Sequence, residues 1–477
     1  MPTLSPSHIC IAHKVCIDSD QRLHFVSEQE QDPQLWNDGI DRHDFPISLA
    51  NGVVIRSSIA WKPPANSSVG GDYYARVTDK RAYERGRRFT DNGKWAPYGT
   101  LVLLGHATAN HITHFLEPVG SLQIGVRDMM VDAYGPNENP CKSDDLSCFY
   151  RPSLIISNQV DLDNGNLWGE NVLRMMFRDY DRKMEFSRWG TLSFADTNEM
   201  KCFEKLVLPG AFYGIWPHGA DTTPFLHAID EYIINHAKEE NDRAKRANAE
   251  RNDEHSALQV EHVAGDGSKR ILIAHRTTKR TIVDHESFVQ IVTKHAARVG
   301  AVVDVVQFGS KKFNEQLSLA KGARILMGIH GADLTNMLFL PANSVVIELN
   351  PLFFFENRFD ELAQALGHKY MPWNCGTHEC AFGGDRSHFD RYIQSHGLKY
   401  NYSDYTITTE AYGTFEWGWK GYVGFGCLAC NDVTCCTGVR NGFYSELRES
   451  HIKIGEGKHA DEIRSVLDDA FEHLKRR

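Results

Sequence analysis

The chain has 477 residues, and because single hydrophobic cores stop growing near about 250–300 residues, two domains are expected. Its content of 42% hydrophobic and 24% charged residues is typical of a soluble globular protein. The formal net charge of −10 argues against a nucleic-acid-binding protein, although a local arginine cluster can still hold an anionic ligand.

The sequence leaves two compartments open. It contains no run of about 18 apolar residues that would span a membrane, and its N-terminus has no apolar signal core. We therefore expect either a cytoplasmic protein or a protein of the Golgi or ER lumen whose membrane anchor lies upstream of this sequence. Glycosylation sequons at Asn66 and Asn401 give the lumen slight support, because such triplets often arise by chance.

Residues 1–222 are predicted to form an N-terminal domain. Its expected elements are short strands at residues 9–12 and 23–26, irregular surface structure at 50–100, a strand at 98–104 and a His-rich helix at 106–122. Cys141 and Cys148 lie in a predicted loop, where they can pair if the compartment is oxidising.

Residues 223–269 are predicted to be a helical, charged insertion followed by a linker. Apolar side chains at helical spacing, among them Ile229 and Tyr232, are followed by a charged run that favours a solvated helix or a mobile insertion. Residues 263–269 have the composition of a linker.

Residues 270–477 are predicted to form a C-terminal domain in which strands and helices alternate. Strands are expected at residues 270–275, 301–307, 324–329, 344–349 and 369–372, and helices at 284–299, 314–323, 333–340, 357–366 and 461–474, the first with Asp284 as its N-cap. This alternation indicates a parallel, Rossmann-like sheet that binds ligands at the carboxyl ends of its strands.

The chain has eleven cysteines, an odd number that cannot pair completely within one molecule. Four of them form a C-terminal cluster of Cys427, Cys430, Cys435 and Cys436. This cluster suits disulfides in a lumen and a thiolate-bound zinc ion in the cytosol.

Residues 328–336, Gly-Ile-His-Gly-Ala-Asp-Leu-Thr-Asn, follow a predicted strand and open a helix. Gly331 allows close approach of a ligand to the backbone, and the free N–H groups at a helix N-terminus suit a diphosphate. An ordinary strand–turn–helix junction would have the same pattern. Arg276 and Arg280, at the end of an earlier strand, favour phosphate binding at this edge because guanidinium groups bind phosphate in a bidentate way.

Residues 271–349 resemble glycosyltransferase family 61, which includes protein O-linked N-acetylglucosaminyltransferases and plant xylosyl- and arabinosyltransferases. The family pattern looks like a strand followed in order by Gly-x-His-Gly-Ala-Gly-Leu-Thr-Asn, an apolar Phe-Leu-Pro stretch and Val-Val-x-Glu. This chain carries the pattern at residues 328–341 and 345–348, with Asp333 in place of the usual Gly. Arg276, Arg280, Gln316, Cys202 and the stretch 114–117 also look like family positions.

The resemblance implies an α/β fold of the type called GT-B, with two Rossmann-like domains facing a cleft and a C-terminal helix crossing back. It implies an inverting enzyme that moves xylose, N-acetylglucosamine or arabinose from a UDP-sugar to a hydroxyl of a glycan or glycoprotein. No cofactor and no metal site are expected. The residues expected to bind the donor are Arg276, Arg280, Gln316, Gly328, His330, Gly331, Thr335, Asn336 and Glu348.

An inverting transfer needs a general base for the acceptor hydroxyl, and we expect it on the N-terminal domain. His114 and Glu117 are the candidates, since residues three apart share one face of a helix; a His114 that merely caps or packs the helix is the alternative. Asp179 and Asp181 resemble a metal-binding carboxylate pair, but this spacing arises readily by chance.

Two other functions stay open. One is an inactive, transferase-like protein that binds glycans, which Asp333 favours because a carboxylate is unfavourable beside a diphosphate. The other is a zinc-dependent protein centred on the C-terminal cysteine cluster.

Overall fold

The computed structural model describes residues 9–19, 23–26, 47–49, 53–55, 73–78, 88–89, 95–96, 100–108, 112, 116, 119, 122, 152–159, 168–177, 179, 184–188, 192–193, 200–209, 226–234, 270–352, 354, 358–404, 406–409, 413–416 and 449–476. The chain divides into two compact units, Met1–Leu258 and Gln259–Arg477. The predicted domain boundaries, 1–222, 223–269 and 270–477, and their assignment to acceptor and donor, stay predictions.

The first unit is built on a mixed sheet. Its strands are β1 (Ile9–Asp18), β2 (Leu23–Val26), β3 (Ile47–Leu49), β4 (Val53–Ile55), β5 (Tyr73–Thr78), β6 (Arg88–Phe89), β7 (Trp95–Ala96), β8 (Thr100–Thr108), β9 (Leu154–Gln159), β10 (Glu185–Arg188) and β11 (Met200–Pro209), with helices α1 (Trp168–Met176) and α2 (226–234). Nine of these strands pair in the order β10-β9-β8-β11-β1-β2-β5-β4-β3, with parallel pairing from β10 through β11 and antiparallel pairing of β1 with β11 and β2.

Two predictions for this unit are wrong in part. The stretch 50–100 is not irregular throughout, because β4, β5, β6 and β7 lie in it. The predicted helix 106–122 begins too early, since β8 runs on to Thr108 before residues 112, 116, 119 and 122 adopt helical conformation. Leu116, Val119 and Leu122 are buried and follow one another at intervals of three residues, which is the spacing of side chains on one face of a helix.

The second unit contains the parallel sheet that the alternation predicts. Its strands are β12 (Arg270–Ala274), β13 (Val302–Val306), β14 (Ile325–Ile329), β15 (Val345–Asn350) and β16 (Lys369–Asn374), in the order β13-β12-β14-β15-β16 with parallel pairing throughout. Every residue of β14 and β15 is buried. The continuous apolar runs Ile325–Ile329 and Val345–Ile347 are the expected result of burial on both faces.

Helices cover this sheet. They are α3 (His285–Ala297), α4 (Phe313–Lys321), α5 (Arg358–Ala365), α6 (Arg386–Ser395) and α7 (Lys458–Lys475), with 3-10 helices at Phe308–Ser310, Ala332–Phe339 and Ala381–Gly384. α7 packs against α3, β15 and β16 of its own unit. None of the helices in the described part of the chain is long and apolar enough to cross a bilayer.

Three details of the second unit differ from the predictions. The segment predicted as the helix 333–340 is a 3-10 helix. Asp284 makes no side-chain cap to α3; its carboxylate instead accepts the backbone N–H groups of Ile454 at 3.0 Å and Gly455 at 2.5 Å. Helix α6 and the small antiparallel sheet of β17 (Lys399–Asn401), β18 (Thr406–Thr409) and β19 (Gly413–Glu416) were not predicted.

Candidate functional site

The strand order of the second unit defines where a ligand would bind. The chain leaves β12 towards β13 on one side and leaves β14 towards β15 on the other. Such a point, where the strand order reverses, opens a crevice outside the carboxyl ends of the two strands, and ligands of open α/β sheets bind there. Arg276 follows β12 and Gly331 follows β14, so both predicted elements of the site lie at this point.

Arg276 and Gly331 are in direct contact. A Cβ placed on Gly331 would lie 2.2 Å from Nη1 of Arg276, so the guanidinium occupies the space that any other residue would fill. The Nε of Arg276 also donates to the carbonyl of Lys279 at 3.2 Å. The glycine therefore acts by making room for a cation at the start of the 3-10 helix Ala332–Phe339.

Asp333 adds a carboxylate to this cationic edge. Its Oδ2 lies 4.0 Å from Nη1 of Arg276, and both side chains are about one-fifth exposed, at 20% and 19%. Burial raises the pKa of the Asp333 carboxyl, while the charges of Arg276 and Arg280 act in the opposite direction without overcoming it. Arg280 is itself buried and has a left-handed backbone with φ of 55°.

His330 is held by a buried carboxylate. Its Nδ1 lies 2.5 Å from Oε1 of Glu348, and the hydroxyl of Tyr370 donates to Oε2 of the same carboxylate. Because a carboxylate accepts, this arrangement assigns the proton of His330 to Nδ1. The ring packs edge-on against Phe354 and Phe359, with centroids 4.5 and 5.3 Å away. These contacts fix the orientation of the imidazole.

The remaining predicted donor residues are buried in the elements around this edge. Thr335 and Asn336 are fully buried, and Nδ2 of Asn336 donates to the carbonyl of Asp333 at 3.0 Å. Gln316, on α4, is also buried and donates to the carbonyl of Lys311 at 2.9 Å. Direct contact with a ligand is thus better supported for Arg276 than for these side chains, and the donor-binding roles stay predictions.

Gly328 has a packing role. A Cβ on Gly328 would lie 2.9 Å from Cβ of Ala274, its partner in β12, so glycine lets the two central strands pack at this position.

Comparison with known proteins adds the chemistry. The family model described as Glycosyltransferase 61 matches residues 106–347, just over half of the chain. The chain belongs to glycosyltransferase family 61. The resemblance that the sequence carries at residues 328–348 is thereby confirmed.

Family 61 relatives match over part of their length. The chain is 34% identical over 132 residues to the EGF domain-specific O-linked N-acetylglucosamine transferase of Xenopus laevis, covering 27% of this chain and 24% of that protein. It is 26% identical over 220 residues to the protein of that name from Drosophila melanogaster, covering 43% and 36%. A beta-1,2-xylosyltransferase of Oryza sativa subsp. japonica is 26% identical over 156 residues, covering 32% and 24%. The chain therefore matches about a quarter to a third of the length of these relatives.

Several predicted residues of this family 61 member lie outside the described part of the chain. They are His114, Glu117, Cys141, Cys148, Asp181, Cys427, Cys430, Cys435 and Cys436. Asp179 is described: it is buried, pairs with Arg174 and accepts the backbone N–H of Met184 at 3.1 Å. Among the described residues, no three His, Cys, Asp or Glu side chains cluster closely enough to hold a metal ion.

Sequence reasoning missed the groups that support His330. Tyr370 lies on the strand next to Glu348, and its contact follows from the register that pairs Glu348 with Pro372, two residues further along β16. Because alternate residues of a strand share a face, the register would have placed Tyr370 and Glu348 on the same face. The contact of Tyr370 with Glu348 could therefore have been predicted from the sequence only with knowledge of how β15 pairs with β16.

A second polar network lies at the end of β16 and was also missed. Oγ1 of Thr377 lies 2.9 Å from Nε2 of His459, whose Nδ1 lies 3.0 Å from Oε2 of Glu462. Nε1 of Trp373 donates to the same Glu462 oxygen at 3.1 Å. These buried side chains join the loop closed by the Cys375–Cys380 disulfide to α7, so the network is structural.

Proposed function

We propose that the chain is an inverting glycosyltransferase that moves a sugar from a UDP-sugar to a hydroxyl of a glycan or glycoprotein. The supporting observation is the contact of Arg276 with Gly331, which sets a guanidinium beside a helix N-terminus at the point where the strand order reverses. Two cations and oriented backbone N–H groups suit a diphosphate that gains charge as the sugar leaves. Xylose, N-acetylglucosamine and arabinose are the sugars to test first.

In the proposed reaction, the acceptor oxygen bonds to the anomeric carbon while the bond from that carbon to the diphosphate oxygen breaks. The electron pair stays on the diphosphate, and the proton of the acceptor passes to a base. Arg276 and Arg280 meet the charge of the leaving diphosphate, which is why we propose a reaction independent of a metal ion. His114 and Glu117 are the proposed base and its partner.

The proposal includes a GT-B arrangement, with the donor on the second unit and the acceptor on the first. It rests on the family resemblance and on the parallel sheet of the second unit. We also propose maturation in the ER or Golgi lumen. The disulfides Cys16–Cys202 and Cys375–Cys380 support it, because such bonds persist in oxidising compartments.

A glycan-binding protein without activity is the second candidate, and the carboxylate of Asp333 beside Arg276 favours it. The two candidates differ in turnover, since a binding protein would retain glycan affinity without releasing UDP from any donor.

The test is a screen of UDP release from UDP-sugars with glycan and glycoprotein acceptors. Arg276→Ala should abolish release while the protein stays folded. The matched control is Arg270→Ala, which removes an arginine of β12 away from the proposed site. The Nη1 of Arg270 lies 3.0 Å from Oδ2 of Asp304. Absence of release across the panel, or equal loss in both variants, would overturn the proposal.

A further inference from the structure

Asp333 places a carboxylate beside the arginines that are proposed to bind an anionic phosphate. Its carboxylate lies 4.0 Å from Arg276 and interacts electrostatically with Arg280. The residue occupies the second position of the 3-10 helix Ala332–Phe339. The N-terminus of a helix and two guanidinium groups together favour negative charge. Asp333 therefore supplies part of the negative charge that a bound phosphate would otherwise supply.

The carboxylate is poorly solvated, which strengthens its effect on a neighbouring anion. Its side chain is 20% exposed, and burial raises the pKa of the carboxyl despite the two arginines. Charges interact more strongly where water is scarce, because the effective dielectric constant is lower there. Each further negative charge brought to this edge is accordingly opposed by Asp333.

The donor and product of the proposed reaction differ in charge at this edge. In a nucleotide sugar both phosphates are esterified, so the diphosphate carries two negative charges. When the sugar leaves, the terminal phosphate loses its only ester bond and gains a second ionisable oxygen with a pKa of about 6, so the product approaches three negative charges near neutral pH. The additional charge appears where the sugar has departed.

We propose that Asp333 discriminates by charge between the nucleotide-sugar donor and the nucleoside diphosphate product, and so limits inhibition by the product. This inference rests on the proposed function. Asp333 repels the product more than the donor because the product carries the additional charge. Asp333 is thus a specificity-determining residue and takes no proton in the reaction.

The experiment compares the whole chain and its Asp333→Asn variant by calorimetric titration with UDP, UDP-xylose and UDP-N-acetylglucosamine. The variant should bind UDP about 10-fold more tightly, because repulsion between two unit charges about 4 Å apart changes a Kd by about 10-fold or more. Its affinity for the UDP-sugars should rise by distinctly less than 10-fold. Asp333→Gly, which restores the residue of the family pattern, should reproduce the shift. Asp304→Asn, which removes a carboxylate paired with Arg270, should change none of these affinities.

Equal gains for UDP and the UDP-sugars would overturn discrimination by charge, and weaker binding of UDP would show instead that Asp333 holds Arg276 in place. Inorganic pyrophosphate and sulfate separate this proposal from the proposed function. If no nucleotide sugar binds but Asp333→Asn gains more affinity for pyrophosphate than for sulfate, the donor assignment fails and the charge discrimination stands. No gain for either ion would overturn the discrimination itself.

Discussion

Nδ1 of His330, the first residue after β14, lies 2.5 Å from Oε1 of Glu348 in the neighbouring parallel strand β15. Both side chains are buried, with 4% and 0% exposure, so the contact is protected from competing water. A hydrogen bond to a charged group in such a setting is worth about 1.5–3 kcal/mol. Glu348 therefore acts on the proposed reaction by orienting His330.

Replacing this carboxylate with an amide should impair the reaction. We expect Glu348→Gln to lower kcat/KM about 10- to 100-fold, because an amide accepts more weakly than a carboxylate and its other end donates. Initial rates of UDP release at several donor concentrations measure the effect. Near-ultraviolet circular dichroism checks that the sheet remains folded.

The matched control is Glu472→Gln, on the exposed face of α7, where the carboxylate pairs with Lys475 at 2.7 Å. Its kcat/KM should equal that of the wild type, because an exposed ion pair contributes little and Glu472 lies in a different element from His330. Wild-type kinetics in Glu348→Gln would show that the His330 contact is dispensable.

His368 should make the second unit sensitive to acid. The pKa of His368 is lowered to about 4, chiefly by burial and in smaller part by the charge of Arg324, while the hydrogen bond from Nε2 to the carbonyl of Met337 at 3.1 Å opposes the shift. Below the ordinary histidine pKa of 6.5, the unfolded chain binds a proton that the folded protein excludes. Stability should thus fall as the pH drops from 6.5 towards 4, by about 3 kcal/mol over that window.

Urea unfolding at successive pH values measures this loss. His368→Gln keeps a neutral donor for Met337 and removes the titrating ring, so its stability should decline less over the same window. An equal decline in both proteins would assign the acid sensitivity to other groups.

The parallel sheet could be predicted from sequence because its central strands are buried on both faces. Ile271–Ala274 and Ile325–Ile329 are continuous apolar runs that helices separate, and this pattern is local. α6 was missed because it is polar, with its inward face limited to Phe389, Tyr392 and Ile393. Its N-cap, Asp385, which accepts the N–H of His388 at 3.0 Å, was a usable local signal.

The site was predictable to the level of the sheet edge and no further. Arg276 and Gly331 were expected at one edge because each follows a parallel strand, but their direct contact depends on a side-chain conformation. The contact of Tyr370 with Glu348 depends on pairing between strands that are distant in sequence. Such long-range register is set by the whole core and is not contained in a local pattern.

The two disulfides should differ in what they contribute to stability. Cys16 and Cys202 are separated by 186 residues, whereas Cys375 and Cys380 are separated by 5. In the loop-entropy model, the long loop constrains the unfolded chain by about 5 kcal/mol and the short loop by about 2 kcal/mol. Replacing both cysteines of a pair with serine avoids a stray thiol, and thermal and urea unfolding compare the variants. A larger loss from the short loop would contradict the entropic account.

Asn401 should carry an N-linked glycan if the chain matures in a lumen, as proposed. It lies exposed at the end of β17, where its Oδ1 accepts the N–H of Ser403 at 2.9 Å and its Nδ2 donates to Asp404 at 2.8 Å. Release of the glycan by an endoglycosidase should shift the mass of the protein produced in secretory cells. Ser403→Ala should remove that shift and Ser403→Thr should keep it, because the acceptor triplet needs a hydroxyl. An unmodified Asn401 in secreted protein would contradict the prediction.

Gly331→Ala should weaken donor binding without unfolding the protein. The added Cβ would lie 2.2 Å from Nη1 of Arg276, so the guanidinium must move away from the helix N-terminus. The backbone itself is not strained, because the φ of 161° at Gly331 is extended. We expect the Kd for the donor to rise about 10-fold, since losing one charge-assisted contact costs about 1.5–3 kcal/mol, with little change in melting temperature.

The matched control is Gly309→Ala, where a Cβ would meet no atom within 4 Å. This variant should bind the donor like the wild type, because its added methyl displaces no cation. Titration calorimetry measures both Kd values, and thermal unfolding separates a displaced Arg276 from a damaged fold. If Gly331→Ala bound the donor as tightly as the wild type, the Arg276 guanidinium would have no part in holding the diphosphate, because the space it now occupies would be filled by the new side chain.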